Sequence, residues 1–357
     1  MLIYSEPFTP SIFSKSFQND ETKQIILKRL HLTEDSLLNH AIFLDIETTG
    51  LSAKSSFLYM IGVIYYHEQS FHYKQWFLEN SSEEKKVLEL VSQFLSSYHT
   101  IIHFNGTTFD LPYLIQKFER YQLPFSFDTF QSIDLYRTLK PLKNILKLPN
   151  CKQKSFEDAL NITRQDCFDG GMLIEIYHDY LKKKKAESLH FLLLHNKEDI
   201  IHMLDLCSLI PYLDFLDVSF LENVNLTISA TLEKTKALDK TERYELHIIL
   251  KTIAYYPILF HYQTDLFQLI LQSGSLHLLV SNPTMEFKNY YPDYKNYYYL
   301  PEEDTAIHKS VSSYVDKSHR IKATKDNCYS RFLCNEQFLS NTNALIAYTK
   351  NILKSRL

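Results

Sequence analysis

Between residues 41 and 50 the chain reads Ala41-Ile-Phe-Leu-Asp-Ile-Glu-Thr-Thr-Gly50, and no other stretch constrains the fold so much. Four apolar residues lead into an Asp-x-Glu pair, which runs at once into a Thr-Thr-Gly turn. A short apolar run closed by a turn fits a buried, central strand of a sheet. Residues two apart on a strand share a face, so Asp45 and Glu47 project side by side. Two carboxylates that close repel each other, and burial strengthens the repulsion. A divalent metal with oxygen ligands, Mg²⁺ or Mn²⁺, would relieve it. On this segment alone the alternative is a strand end with two solvated acids, or an Asp capping a local turn. Acids elsewhere in the chain must decide.

The remaining pattern places this strand in a layered α/β domain. Residues 1–39 read as a helical lead-in, with charged and aliphatic residues at helical spacing from Thr22 to Leu30. Phe57 to Tyr66 and Ser70 to Leu78 are aromatic and β-branched runs around a polar His67-Glu-Gln69, the signature of a hairpin. Glu83 to Tyr98 carries its apolar residues on one helical face, with Ser81 and Ser82 as caps. Thr100 to Phe104 reads as a buried strand ending at Asn105-Gly106, followed by a helix from Pro112 to Tyr121 and an extended piece from Phe127 to Tyr136. A meander followed by alternating strand and helix gives an α/β domain over residues 40–213, with its first strand central. Residues 139–185 are helical and irregular, and the Lys182-Lys-Lys-Lys185 run reads as a solvated helix face before a phosphate-steering patch. A strong helix spans Ala186 to Leu213.

Beyond Asp214 the texture changes to extended runs, at Asn225–Leu232, Tyr244–Thr252, Pro257–Tyr262, Leu266–Gln272 and Leu276–Val280, the last two broken by Ser273-Gly274. They predict a second, smaller, mainly antiparallel β domain over 214–357, closed by helices after Pro301. Within it, Asn289-Tyr-Tyr-Pro-Asp-Tyr-Lys-Asn-Tyr-Tyr-Tyr-Leu300 reads first as packing across a sheet and second as a stacking platform for single strands. Ile307, Val311, Tyr314 and Val315 fall on one helical side, with a basic rim of Lys309, Lys317, Arg320 and Lys322.

Two more acids stand where a site could form. In His103-Phe-Asn-Gly-Thr-Thr-Phe-Asp-Leu-Pro-Tyr-Leu114, Asp110 precedes a helix with Pro112 in its first turn. Asp there serves as a cap, but the same place lets a carboxylate look across the carboxyl ends of neighbouring strands. In Leu192-Leu-Leu-His-Asn-Lys-Glu-Asp-Ile-Ile-His-Met203, residues four apart lie about 40° apart around a helix. His195, Asp199, Met203, Leu206 and Ile210 therefore share a stripe that is otherwise apolar. Asp199 is carried into the protein, where a carboxylate needs a cation or a proton. A structural Asp–His hydrogen bond is the alternative. Asp134, on the extended piece, reads as structural.

Taken together, Asp45, Glu47, Asp110 and Asp199, with a histidine one turn before the last, resemble the DEDD exonuclease superfamily on a ribonuclease-H-like fold. The wording Asp-Ile-Glu-Thr-Thr-Gly, Asn-Gly-Thr-Thr-Phe-Asp-Leu-Pro-Tyr-Leu and His-Asn-Lys-Glu-Asp is most similar to its YprB-type branch, over residues 40–212. The two best-known branches place a tyrosine four residues, or a histidine five residues, before the last aspartate; here a histidine stands at four. The resemblance implies a 3′→5′ exonuclease that hydrolyses DNA or RNA with two ions, Mg²⁺ or Mn²⁺. It implies Asp45 bridging both ions, Glu47 and Asp199 on the nucleophile side, Asp110 on the second, and His195 deprotonating water. Thr48, Thr49 and Gly50 would offer backbone N–H groups to a terminal nucleotide and Leu51 a wedge against its base. Asn105 and Phe109 are further candidates for contact, and equally a turn former and a core aromatic. The expected partner is nucleic acid, with a single-stranded 3′ end. A catalytically silent nucleic-acid- or protein-binding module on the same fold is the competing expectation.

Composition bears on this in three places. The net charge of −4 gives no global basic footprint. The five cysteines form no Cys-x-x-Cys pair, so neither a zinc site nor a disulfide framework is expected. The N-terminal residues lack a basic and apolar leader, and no run of eighteen apolar residues occurs, so the expectation is a cytoplasmic protein without membrane contact.

Overall fold

A computed structural model describes residues 1–222, 226–236, 241–272 and 274–356. The chain divides into two units: residues 1–211 with 255–258, and residues 212–254 with 259–357. The first contains strands β1 (Leu2–Phe8), β2 (Ala41–Thr48), β3 (Leu58–His67), β4 (Ser70–Phe77), β5 (Thr100–His103) and β6 (Gln131–Asp134). Its helices are α1 (Phe13–Gln18), α2 (Asp20–Leu30), α3 (Glu34–Asn39), α4 (Glu84–Leu95), α5 (Asp110–Arg120), α6 (Leu135–Leu139), α7 (Gln153–Ala159), α8 (Gly170–Lys183) and α9 (Ala186–Leu206).

The six strands form one mixed sheet in the order β1-β4-β3-β2-β5-β6. β2 is central, antiparallel to β3 and parallel to β5, as its apolar run predicts. Ile42, Leu44 and Ile46 face a core shared with Val87, Leu88, Val91 and Leu95 of α4 and Leu114 and Phe118 of α5. Tyr59, Met60 and Phe77 on the other face pack on Leu173, Tyr177 and Tyr180 of α8 and Leu192 of α9. Strand alternation therefore sends Asp45 and Glu47 to the α8–α9 side.

Several expectations need correction. The lead-in expected over 1–39 is helical only from Phe13; Leu2–Phe8 instead pairs antiparallel with β4 and forms the sheet edge. The third predicted helix starts earlier, with Asp110 as its first residue. The long helix ends at Leu206 and continues as a 3₁₀ turn to Tyr212. Ahead of α4, a 3₁₀ turn covers Ser81–Glu83, and Asn80 accepts from Ser82 N–H in place of a serine cap.

The second unit contains α10 (Leu213–Asp217) and strands β7 (Thr227–Lys236), β8 (Glu242–Lys251), β9 (Phe260–Gln263), β10 (Gln268–Gln272) and β11 (Ser275–Asn282), which form an antiparallel sheet in the order β7-β8-β11-β10-β9. Asn225 and Ser273, which begin one expected run and one expected turn, lie outside the described residues. β12 (Glu286–Tyr290), β13 (Tyr297–Leu300), β14 (Thr305–His308), β15 (Ile321–Lys322) and β16 (Tyr329–Leu333) build two small sheets before α11 (Glu336–Leu339) and α12 (Thr342–Arg356). Closure after Pro301 is thus by strands first and helices last. The helical side expected from Ile307 to Val315 is strand and 3₁₀ turn, with Val311 and Tyr314 exposed. The tyrosine tract packs: Tyr291, Tyr294, Tyr297 and Tyr299 lie against Ala306, Ala323 and Cys328. Among the described residues no helix is long and apolar enough to cross a membrane.

Candidate active site

Gly62 of β3 lies between Asp45 on β2 and Gln75 on β4 in the strand ladder. The missing side chain leaves room for Asn196 of α9, which is fully buried. Asn196 Nδ2 donates to Asp45 Oδ2 at 2.9 Å, and Gln75 Nε2 donates to Asn196 Oδ1 at 2.9 Å and to the Leu193 carbonyl at 3.0 Å. One glycine thus lets α9 approach the sheet and bring its polar residues to the acids of β2.

The acids of β2 meet the stripe of α9 as the helical period predicts. His195 Nε2 lies 3.1 Å from Asp199 Oδ2 and 3.6 Å from Glu47 Oε1. One donor atom each from Glu47, His195 and Asp199 falls within 4.8 Å of the others. Tyr59 OH donates to Glu47 Oε2 at 3.4 Å. Asp110 is buried at the start of α5, and Ile46 N–H donates to its Oδ1 at 3.2 Å, which ties it to β2 between the two other acids. Its carboxyl therefore turns toward the strand.

The segment between α7 and α8 supplies partners that sequence pattern did not reveal. Arg164 Nη2 contacts Asp199 Oδ1 at 2.6 Å, while its Nε and Nη2 grip Glu157 at 2.5 and 2.6 Å. Asp166 Oδ2 lies 2.7 Å from His195 Nδ1. Gln153 Nε2 donates to the Asp199 carbonyl at 2.8 Å. These residues sit in irregular or short helical segments with no periodicity to mark a buried face. Only Asn196 and Glu198, inside the His-Asn-Lys-Glu-Asp segment, carried a signal: polar residues beside a helical stripe that is otherwise apolar.

The loop after β2 is built on the core. Ser56 Oγ bonds the Gly50 carbonyl at 2.9 Å, the Ser52 carbonyl at 2.7 Å and Tyr113 OH at 2.9 Å. The fully buried Lys117 donates from Nζ to the Ser56 carbonyl at 2.6 Å and pairs with the equally buried Glu84 at 2.7 Å; Glu84 in turn accepts from Leu58 N–H at 2.8 Å. Leu51 is left 89% exposed at the loop tip. Thr49 N–H donates to the Phe57 carbonyl at 2.8 Å, so the expectation that it meets a nucleotide is corrected: the loop already uses it. Thr48 Oγ1 donates to the Gly50 carbonyl. Asn105 is exposed, with φ 63° in the left-handed region, and its N–H donates to Asp134, which makes it a turn former. Phe109 packs on the core beside Tyr113. Asp134 also caps α6 by accepting from Tyr136 N–H, a structural role as expected.

Charge is out of balance around β2. Burial, then repulsion by Asp110, Glu47 and Asp199, holds Asp45 well above the ordinary carboxylate range. Burial also raises Glu47 to about 8, with His195 opposing and Asp199 adding to the shift. Burial raises Asp110 to about 7 against its backbone hydrogen bonds. For His195 burial acts downward, but the bond to and charge of Asp199, with Glu47 and Asp166, carry it up to about 10. Asp199 is lowered: burial is outweighed by His195 and Arg164. The donor set fits a divalent cation, since donor atoms of Glu47, His195 and Asp199 converge and burial drives Asp45, Glu47 and Asp110 toward protonation, which a cation would oppose. Asp45, Glu47, Asp110 and Asp199 are the residues that could hold it, and His195 Nε2 lies close enough to be a fifth donor.

Residues 42–210 match the RNase_H_2 family model, of the RNase H superfamily. These residues form an RNase H superfamily domain. The RNase-H-like domain contains all five candidate residues, from β2 to α9. Parts of the chain are also similar to solved structures. One is the family B DNA polymerase of Pyrobaculum calidifontis, at 15% identity over 49% of this chain and 25% of the polymerase, with a TM-score of 0.41. Another is Brucella melitensis NrnC with bound Mg²⁺, at 15% identity over 54% of this chain and 91% of NrnC, TM-score 0.24. A third is the zinc-bound form of the E. coli ExoI–ssDNA complex, at 10% identity over 89% and 73% of the two chains, TM-score 0.31. The match to the polymerase thus spans a quarter of that protein's length. No curated protein matches the sequence.

Proposed function

We propose that the RNase-H-like domain is a divalent-metal-dependent 3′→5′ exonuclease acting on DNA or RNA. The observation that carries this reading is the convergence of Asp45 and Glu47 from β2, Asp110 from α5 and Asp199 from α9, three of them held short of positive charge. The direction of attack follows from the resemblance of the three motifs. The four carboxylates would hold Mg²⁺ or Mn²⁺, in one or two ions, which when bound lower the pKa of water and stabilise charge on phosphate oxygens. Asn196 holds one oxygen of Asp45 in place, leaving the other for a ligand. His195 presents Nε2 beside Glu47 and Asp199; once the carboxylate charge that keeps the ring protonated is offset by cations held there, Nε2 is left to accept a proton from water. Leu51, exposed on a fixed loop, would meet the base of the terminal nucleotide.

One observation favours the second reading, a catalytically silent nucleic-acid-binding module: Arg164 already lies against Asp199 at 2.6 Å. Digestion of end-labelled DNA and RNA oligonucleotides, blocked at either end, separates the two. The expected result is stepwise shortening from a free 3′ end with Mg²⁺ or Mn²⁺ and none with chelator. Binding without cleavage in every metal would establish the silent module, and degradation in chelator would overturn both.

A further inference from the structure

Asp166 belongs to none of the motifs, yet both of its carboxylate oxygens are committed. Oδ1 accepts from Phe168 N–H at 3.1 Å, and Oδ2 faces His195 Nδ1 at 2.7 Å. Its own backbone is pinned in turn: Glu198 Oε1 accepts from Gln165 N–H at 2.9 Å and Glu198 Oε2 from Asp166 N–H at 3.0 Å. Asp166 is 7% exposed and Glu198 6%. His195 and Glu198 are three apart on α9 and so share a face. The helix therefore fastens the segment that orients its own histidine. A carboxylate only accepts, so the 2.7 Å contact places a proton on Nδ1 of His195, and by the same rule the 3.1 Å contact with Asp199 Oδ2 places one on Nε2 in the metal-free protein. Nε2, on the opposite side of the ring, is then the atom turned to Glu47 and Asp199.

We propose that Asp166 is a positioning residue: by holding Nδ1–H it fixes the His195 ring so that Nε2 points into the carboxylate cluster, with Glu198 holding Asp166 in register. The proposal rests on the nuclease reading for its effect on rate, but not for its geometry. A base oriented by a third group recurs in acid–base catalysis, and removing such a partner costs roughly 10–100-fold.

The test is a double-mutant cycle of Asp166→Ala and His195→Ala, read as single-turnover cleavage and as Mn²⁺ binding, together with the proton NMR spectrum of the metal-free protein. Asp166→Ala should slow cleavage by about 10–100-fold with Mn²⁺ affinity and substrate KM unchanged. In the His195→Ala background it should cost less than about twofold, because its effect passes through the ring. An equal loss in both backgrounds would overturn the proposal. The His195 Nδ1–H resonance should appear at low field, protected from exchange, in the wild-type protein and vanish in Asp166→Ala. Its absence from the wild-type spectrum, or its survival in the variant, would overturn the geometry even if the protein cleaves nothing. If Asp166→Ala does not fold, Asp166→Asn, which keeps the volume and removes the charge, takes its place in the cycle.

Discussion

A Cβ built on Gly62 would stand 2.1 Å from Oδ1 of Asn196. Asn196 cannot swing aside without breaking its bonds to Gln75 and Asp45. Gly62→Ala should therefore cost about 1–3 kcal/mol, the usual penalty for overpacking. It should also free Asp45 from its hydrogen bond with the Asn196 side chain. Urea denaturation of the single variants and of Gly62→Ala with Asn196→Ala checks this: the double variant should cost less than the sum of the two, since each removes what the other strains.

Asp45→Asn and Asp199→Asn should each lower metal-dependent cleavage by more than the roughly 10–100-fold that loss of an outer partner costs. The fold should survive Asp45→Asn, because burial and the neighbouring acids oppose that charge, whereas Asp199→Asn weakens contacts to His195 and Arg164 and should cost some stability while leaving the secondary structure in place. Circular dichroism and an oligonucleotide assay on the same preparations decide this. Full activity in either variant would mean that the chemistry lies elsewhere. His195→Ala should slow cleavage with Mn²⁺ affinity retained; a collapse of affinity would make His195 a ligand.

The strand and helix periods made the centre of this site legible. Asp45 and Glu47 could be placed because an apolar run ends on them, and Asp199 because it interrupts an apolar helical stripe. Leu2–Phe8 was not legible: Ser5, Glu6 and Pro7 break its alternation, and an edge strand tolerates proline. Arg164 and Asp166 were hidden for a different reason. Their positions come from Glu157 and Glu198, and for Asp166 the anchor lies 32 residues away in sequence, so no local pattern could announce them. The 307–315 segment misled because aliphatic residues at helical spacing there meet no core.

The pH dependence of the metal-free protein follows from the signs of the shifts. Glu47 rises from 4.5 to about 8 and Asp110 from 3.8 to about 7, so the folded state binds more protons than the unfolded one between those values. His195 rises from 6.5 to about 10, and its contribution is complete below 6.5 and lost as pH climbs to about 10. Stability should therefore fall from mildly acidic to alkaline pH. Glu157 works the other way: burial acts upward, but Arg164 and His202 hold it at about 2, so its contribution is present above 4.5 and lost as pH falls through 2. Thermal melts in chelator should give a higher Tm at about pH 5.5 than at about pH 9, and added Mn²⁺ should close the gap at the alkaline end. A flat profile would mean that the acids do not carry this charge imbalance.

Leu51→Ala should leave stability within about 0.5 kcal/mol, as expected for an exposed side chain, because the residue is 89% exposed. On an oligonucleotide it should raise KM about tenfold, the lower range for a lost apolar contact, with kcat retained. Steady-state kinetics on a single-stranded substrate reads both, and an unchanged KM would remove Leu51 from the binding surface.

The Glu84–Lys117 pair has a consequence for recognition. It joins the loop between β2 and β3 to α4 and α5 at Leu58 N–H and the Ser56 carbonyl, deep below the surface. A tip mounted on the interior in this way has little freedom left to surrender when a ligand arrives, so its contact energy is not spent on ordering. The apolar side chain of Leu51 is thus carried on a loop braced from inside the domain.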